Sequence, residues 1–195
     1  MPQPPFFNRQ ALHLRPDPSR VVVRPFRPAI EPRDYNPVDK TRADHIVDRV
    51  LALDEDEVAA LLRATLHNFD DRHHNLPETF EQRAKEMEAT FSDHASFSPA
   101  QRQLIGAYFL HEYSFEAAAL FNPSIVPHPC QTGVKPGCVR VVLSLRAVGE
   151  GHISSLTFRS GTVAADGALD IDPPARLSRL PAVTARVGDR IDVSF

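Results

Sequence analysis

The sequence predicts an α+β fold: an N-terminal all-α helical domain, then an antiparallel four-stranded β-meander. Three observations carry that expectation. Between residues 38 and 113 apolar side chains recur every three to four positions, the spacing that lines one side of a helix. After residue 121 the pattern turns to alternation broken by glycines, as strands joined by tight turns require. Residues 1–37 show neither pattern and, rich in proline and arginine, read as an extended arm. The expected division is an arm over 1–37, a helical domain over 38–120 and a β region over 121–195.

Bulk composition narrows the function classes. The 195 residues fit one ordinary domain, or one domain and part of another. At 42% hydrophobic residues there is material for a real core. The formal net charge is −3 with both signs intermixed, which argues against nucleic acid or an acidic membrane as the main partner. No apolar run approaches the length of a membrane span. The opening MPQPPFFNRQ lacks the basic region and apolar core of a signal peptide. The two cysteines, Cys130 and Cys138, lie close together, and a disulfide between them would close a short loop. Nothing else speaks for an oxidising compartment, so free thiols in a cytoplasmic protein are expected.

In the arm, residues 20–26 (RVVVRPF) suit a short strand, with Pro25 confining it to an edge. Arg15, Arg20, Arg24 and Arg27 are interspersed with Asp17, Glu31 and Asp34, which reads as a solvated arm rather than a polyanion site. A first helix is expected over residues 39–53, with Ala43, Ile46, Val47 and Val50 on its apolar side. Asp54 as N-cap and Glu57 three residues on open a second helix to about Phe69. Its apolar face comprises Val58, Leu61, Leu62, Leu66 and Phe69. A third, over 78–91, carries Phe80, Ala84, Met87 and Phe91. Ser98, Pro99 and Gln101 make a capping signature for a fourth, which buries Leu104, Ile105, Tyr108 and Phe109. The following SFEAAAL either extends that helix or forms another turn. Strands are expected over 124–128, 139–148, 152–159 and 168–172, with one more over 190–195. Gly133, Gly137, Gly149, Gly151, Gly161 and Asp166-Gly167 supply the turns between them. Four such strands in sequence form a meander, which is also the unit of a β-propeller blade.

Several groups carry chemistry. Glu150 and His152 share a turn near a strand end, and both residue types exchange protons near neutral pH once their surroundings tune them. Taken alone, the pair reads first as a solvated turn. Arg146 lies two residues from Ser144 and so on the same strand face, where its planar fork grips carboxylate, phosphate or sugar hydroxyls, or closes a cross-strand salt bridge. Asn122 before Pro123 either shapes the entry to the strand or offers its amide to a ligand. His67, Asp70, Asp71, His73 and His74 are zinc-type ligands, but they fall where the second helix should end, a place that favours cationic side chains. His128, Cys130 and Cys138 lack an evident fourth ligand. No metal and no cofactor are expected. No nucleophile elbow, phosphate-binding glycine loop or dinucleotide fingerprint occurs.

The runs IGAYFLHEYSFEAAALFNPSIVPHP (105–129) and SLRAVGEGHISSLTFRSG (144–161) closely resemble the first blade of glycoside hydrolase family 130. RVVVRPF and the Arg72-His73-His74 segment are similar to a bacterial branch with a helical extension before the propeller. The resemblance implies a five-bladed β-propeller that cleaves β-mannosides, by phosphate in the phosphorylases and by water in the hydrolases. It implies that Asn122 and Ser124 bind the sugar at the mouth of blade one, that Arg146 is a further sugar contact, and that Glu150 and His152 line the same cavity. The branch shows an acidic residue where Cys130 stands in HPCQ. The family's catalytic acid belongs to a later Glu-Asp-x-Arg motif that does not occur after Phe121, and its phosphate-binding residues come later still. About 74 residues follow Phe121, room for one blade and a fraction. The expectation is therefore a truncated glycosidase or glycoside phosphorylase-like chain with part of the sugar-binding rim, without its own catalytic residues. Its partners would be a mannoside-type carbohydrate, inorganic phosphate in the complete family enzyme, and a second chain or another copy supplying the missing blades. The alternative is a non-enzymatic carbohydrate-binding or protein-interaction module.

Overall fold

The computed structural model describes residues 10–29, 40–89, 91, 96–179, 182–183 and 193–194. The chain is α+β, with four helices and an antiparallel four-stranded sheet among these residues. It divides into two compact units, Val22–Tyr113 with Leu177–Phe195, and Met1–Val21 with Ser114–Arg176.

The helical unit contains α1 (Arg42–Leu51), α2 (Glu55–Phe69), α3 (Leu76–Glu88) and α4 (Pro99–Tyr108). Three helix starts are fixed by reciprocal capping. Thr41 pairs with Asp44, Asp54 with Glu57 and Ser98 with Gln101, each cap side chain accepting from the backbone N–H three residues on. The third helix starts earlier than its periodicity suggests. Asn75, at φ 51, turns the chain in the left-handed region, and Pro77 sits in the first turn where its missing N–H costs nothing. Val47, Val50, Val58, Met87, Phe91, Leu104, Ile105 and Phe109 form the core. Phe91 is buried although α3 ends at Glu88. Two expected core residues are exposed, Leu61 on α2 and Tyr108 on α4.

The RVVVRPF run forms β1 (Val21–Pro25), ending on Pro25, and pairs with β2 (Leu110–Ser114) in a two-stranded ribbon. Its exit is pinned at one carbonyl. Phe109 O accepts from the Phe26 N–H at 2.8 Å and from Arg83 Nε at 2.9 Å, while Arg83 Nη2 donates to Phe26 O at 2.9 Å. A buried guanidinium is tolerated here because two backbone carbonyls and Glu86 satisfy it.

The second unit is built on a sheet of order β3-β4-β5-β6, formed by Ala119–Pro127, Val139–Val148, Ser154–Val163 and Leu169–Ile171. All three pairings are antiparallel, as a meander requires. Three strands differ in extent from expectation. Within SFEAAAL, Ser114 ends β2, residues 115–118 make the turn, and β3 begins at Ala119 and runs on through Pro123. A bulge makes this continuous: the register shifts between Phe121 and Ser124, with Asn122 at φ 52. β5 begins at Ser154, because residues Glu150–His152 form a 3-10 turn closed by Gly149 N–H to Ile153 O at 3.0 Å. It then extends to Val163 rather than ending at Arg159. β6 is shorter than expected. Of the last expected strand, β8 (Val193–Ser194) pairs with β7 (Ala182–Val183), and the rest of that run lies outside the described residues.

The close approach of α3 and α4 gives a stability prediction. A Cβ at Gly106 would meet Phe80 O at 1.8 Å, a backbone atom that cannot rotate away. Gly106→Ala should force the helices apart and lower unfolding free energy by about 3 kcal/mol, near the upper end for overpacking. Urea denaturation checks this; an unchanged midpoint would show that the helices separate without cost.

Candidate functional site

The two faces of the β3–β6 sheet differ in an unexpected way. On β4 the side chains of Val141, Leu143, Leu145 and Ala147 are buried, while those between them lie on the other, open face. On β5 the inner positions are Thr157, Arg159 and Gly161, whereas the apolar Leu156 and Phe158 are 69% and 39% exposed. Polar groups enter the interior because a carboxylate meets them there. Glu116 is 0% exposed. Arg159 Nη2 donates to its two oxygens at 2.8 and 2.9 Å, Thr157 Oγ1 donates to Oε1 at 2.9 Å, and Arg20 Nη1 also reaches Oε1. Arg159 Nη1 donates to Thr157 Oγ1 at 2.9 Å, and the Arg20 guanidinium lies 4.9 Å from the Phe115 ring centre. Burial lowers the pKa of Arg20 while Glu116 opposes that shift.

Sequence reasoning missed this cluster. Glu116 lies in a stretch whose pattern fits helix or turn, and Arg20 lies among the arm arginines. One signal was available: Thr157, Arg159 and Gly161 alternate in phase, and Leu156 and Phe158 hold the opposite phase. A strand with two such faces is either solvated on the wrong side or partnered by a buried charge.

The open face carries the expected site residues. Strand register places Phe121 opposite Arg146 and Arg146 opposite Leu156; in the next row stand Ser124, Ser144 and Phe158. Arg146 thus shares a face with Ser144, as alternation requires. Its cross-strand partner is a hydroxyl: Nε and Nη2 donate to Ser154 Oγ at 3.1 and 2.9 Å. The guanidinium also stacks 5.0 Å from the Phe121 ring centre, a cation–π contact. It is held on two sides yet exposed. Asn122 is exposed at the β3 bulge, so its left-handed backbone shapes the strand and also sets its amide at the surface. Glu150 and His152 are exposed in the turn between β4 and β5, with His152 at φ 59. That turn leaves the sheet end where Ala119 pairs with Val148 and Val148 with Ser154, two residues from Arg146. Ser124 and Arg146 therefore occupy adjacent rows of one face, and Asn122, Glu150 and His152 flank that end of the sheet.

The histidine segment of the helical unit is held by hydrogen bonds and ion pairs to Glu112 and Arg179. His73 is buried, with Nε2 2.6 Å from Glu112 Oε1, and Arg72 Nε donates to the same oxygen at 2.9 Å. His67, Asp70 and Asp71 are exposed, and His74 Nε2 accepts from Arg179 Nε at 3.4 Å. Among the described residues no group of three or more His, Cys, Asp or Glu is placed to hold a metal ion. No helix among them is long and apolar enough to cross a membrane.

Partial burial of Glu112 raises its pKa, but the hydrogen bonds and charges of Arg72 and His73 outweigh this and hold it below its ordinary 4.5. A depressed carboxylate contributes stability above its unfolded pKa and loses it as pH falls through the folded value. Wild-type stability should decline below about pH 4.5, and Glu112→Gln should be less stable at pH 6 with a shallower acid slope. Urea melts between pH 3 and 6 check this; parallel curves for the two proteins would refute it.

Compared with models of known protein families, with curated proteins and with solved structures, the chain matches none.

Proposed function

We propose that the open face of the β3–β6 sheet is a sugar-binding wall of the β-mannoside-cleaving type, akin to part of a glycosidase or glycoside phosphorylase and to the first blade of a propeller. The observation that carries this reading is the anchored Arg146. Its fork is fixed by Ser154 and Phe121 and faces solvent, so little side-chain freedom is left to lose on binding. Guanidinium donors, the Ser124 and Ser144 hydroxyls and the Asn122 amide suit the vicinal hydroxyls of a sugar. The half-exposed Phe158 ring, in the row next to Arg146, suits an apolar sugar face. Glu150 and His152 extend the polar rim at the same sheet end. The proposal assigns binding to these residues and catalysis to none of them. A cytoplasmic setting belongs to the same reading.

One observation favours a second reading, a protein-interaction module. Leu156, Phe158 and Val126 are exposed on the same face as Arg146, and apolar sheet faces of this kind are commonly covered by another layer. Under that reading the cover is a second chain or another copy, as between blades.

Calorimetric titration of the chain with β-mannosides, with and without inorganic phosphate, separates the two. Sugar binding that falls about tenfold or more in Arg146→Ala, the loss of a charge-assisted hydrogen-bonding group, supports the first. Binding untouched by Arg146→Ala would move the site elsewhere. Absence of mannoside binding together with concentration-dependent self-association would favour the second.

A further inference from the structure

The helical unit holds a small apolar cavity that uses none of the residues assigned to the sheet face. Its volume is about 70 Å³, with walls from Val23 of β1, Phe69 of α2, Leu76 and Phe80 of α3, and Leu110 of β2. An open, polar cleft of about 520 Å³ shares Val23 and His73 with it, so the two spaces meet at that pair. His74, Asn75, Ser178 and Arg179 line the cleft, and no carboxylate among the described residues does. At the junction the His73 ring is fixed on one side only. Nε2 lies 2.6 Å from Glu112 Oε1, and Arg72 Nε donates to the same oxygen at 2.9 Å. An ionised carboxylate can only accept, so Nε2 carries a proton. Nδ1 has no hydrogen-bond partner among the described residues, yet it is not sealed in the interior. Arg179 is exposed, with Nε 3.4 Å from His74 Nε2, and no carboxylate among the described residues pairs with its guanidinium.

We propose that the cavity and cleft together bind a short-chain aliphatic hydroxy acid, its carboxylate on Arg179, its hydroxyl on His73 Nδ1 and its alkyl tail among Leu76, Phe80 and Leu110. Each part of the ligand answers a group that the chain leaves open. A guanidinium in a cleft without carboxylates takes an anion, and its planar fork matches a carboxylate. Nδ1 accepts a hydrogen bond while the ring is neutral and donates one when it is charged, and a hydroxyl can meet either state. The apolar walls set the size of the tail. A volume of about 70 Å³ is less than half of the roughly 150 Å³ that takes a benzene ring, so the cavity suits a few methylene groups rather than an aromatic ring. Glu112 and Arg72 keep the imidazole in place, which lowers the cost of ordering it when the ligand binds. The site is one of binding, with no bond made or broken.

The test is an NMR titration of the full chain, followed at the ring signals of His73, with α-hydroxyhexanoate as the probe. Those signals should shift and saturate. Hexanoate, which lacks the hydroxyl, should bind about fivefold more weakly, the usual loss for one hydrogen bond. Lactate keeps both polar groups but lacks most of the tail, and should bind at least about tenfold more weakly, which tests the cavity without altering the protein. Arg179→Gln should weaken α-hydroxyhexanoate about tenfold or more and leave the uncharged α-hydroxyhexanamide unchanged. Arg179 is exposed, so this variant should melt with the wild type. No saturable shift at His73, hexanoate or lactate bound as tightly as α-hydroxyhexanoate, or an unaltered affinity in Arg179→Gln would each overturn the proposal.

Discussion

Glu116 is wholly buried and accepts hydrogen bonds from Arg159, Thr157 and Arg20, so it decides which side of β5 faces inward. Hydrophobicity alone would turn Leu156 and Phe158 inward and leave Thr157 and Arg159 in water. The carboxylate reverses that choice, since an ion taken out of water must keep its partners, and its partners lie on the opposite phase of the strand. A slip of one residue would exchange every side chain between the faces. The phase set by Glu116 brings Phe158 and Leu156 to the open face and sets Leu156 opposite Arg146. It also draws Arg20 to the same interior, so that a remote segment of the chain joins the unit. The candidate sugar-binding face is thus a consequence of chemistry on the reverse of the sheet.

The helical unit solves a related problem with the opposite charge. Arg83 is buried and is satisfied chiefly by backbone carbonyls, those of Phe109 and Phe26. This fixes where α4 gives way to β2 and where β1 leaves. In both units, then, a buried ionic group joins segments distant in sequence. Such groups are weak contributors to net stability, but leaving one unpaired is costly, which is how they specify one arrangement over its alternatives.

Legibility in the sequence followed the range of the interaction. Caps act over three residues, so Asp54 with Glu57 and Ser98 with Gln101 announced two helix starts correctly. Alternation with glycine turns announced the meander, and the limits of β4 were readable because strand-forming residues run unbroken from Val139 to Val148. The start of β3 was not, because Asn122 takes a left-handed conformation that local propensity does not require and that becomes evident only as a bulge against β4. Arg146 was readable as facing the same way as Ser144, while its anchor, Ser154, depends on the register across the hairpin. The charge cluster was least accessible, since Arg20, Glu116 and Arg159 are far apart in the chain and each has an ordinary surface explanation when taken alone.

A double-mutant cycle on Glu116 and Arg159 tests the account at its centre. Unfolding free energies of Glu116→Gln, Arg159→Met and the double variant would be measured by urea denaturation and compared with wild type. Each single change should cost about 3–5 kcal/mol, as expected for an ion left buried without its partner. The double change should cost less than the sum by about 2 kcal/mol or more. Single variants within about 0.5 kcal/mol of wild type, or strictly additive losses, would show that the two residues do not hold β5 in phase, and the derivation of the open face would fail with them.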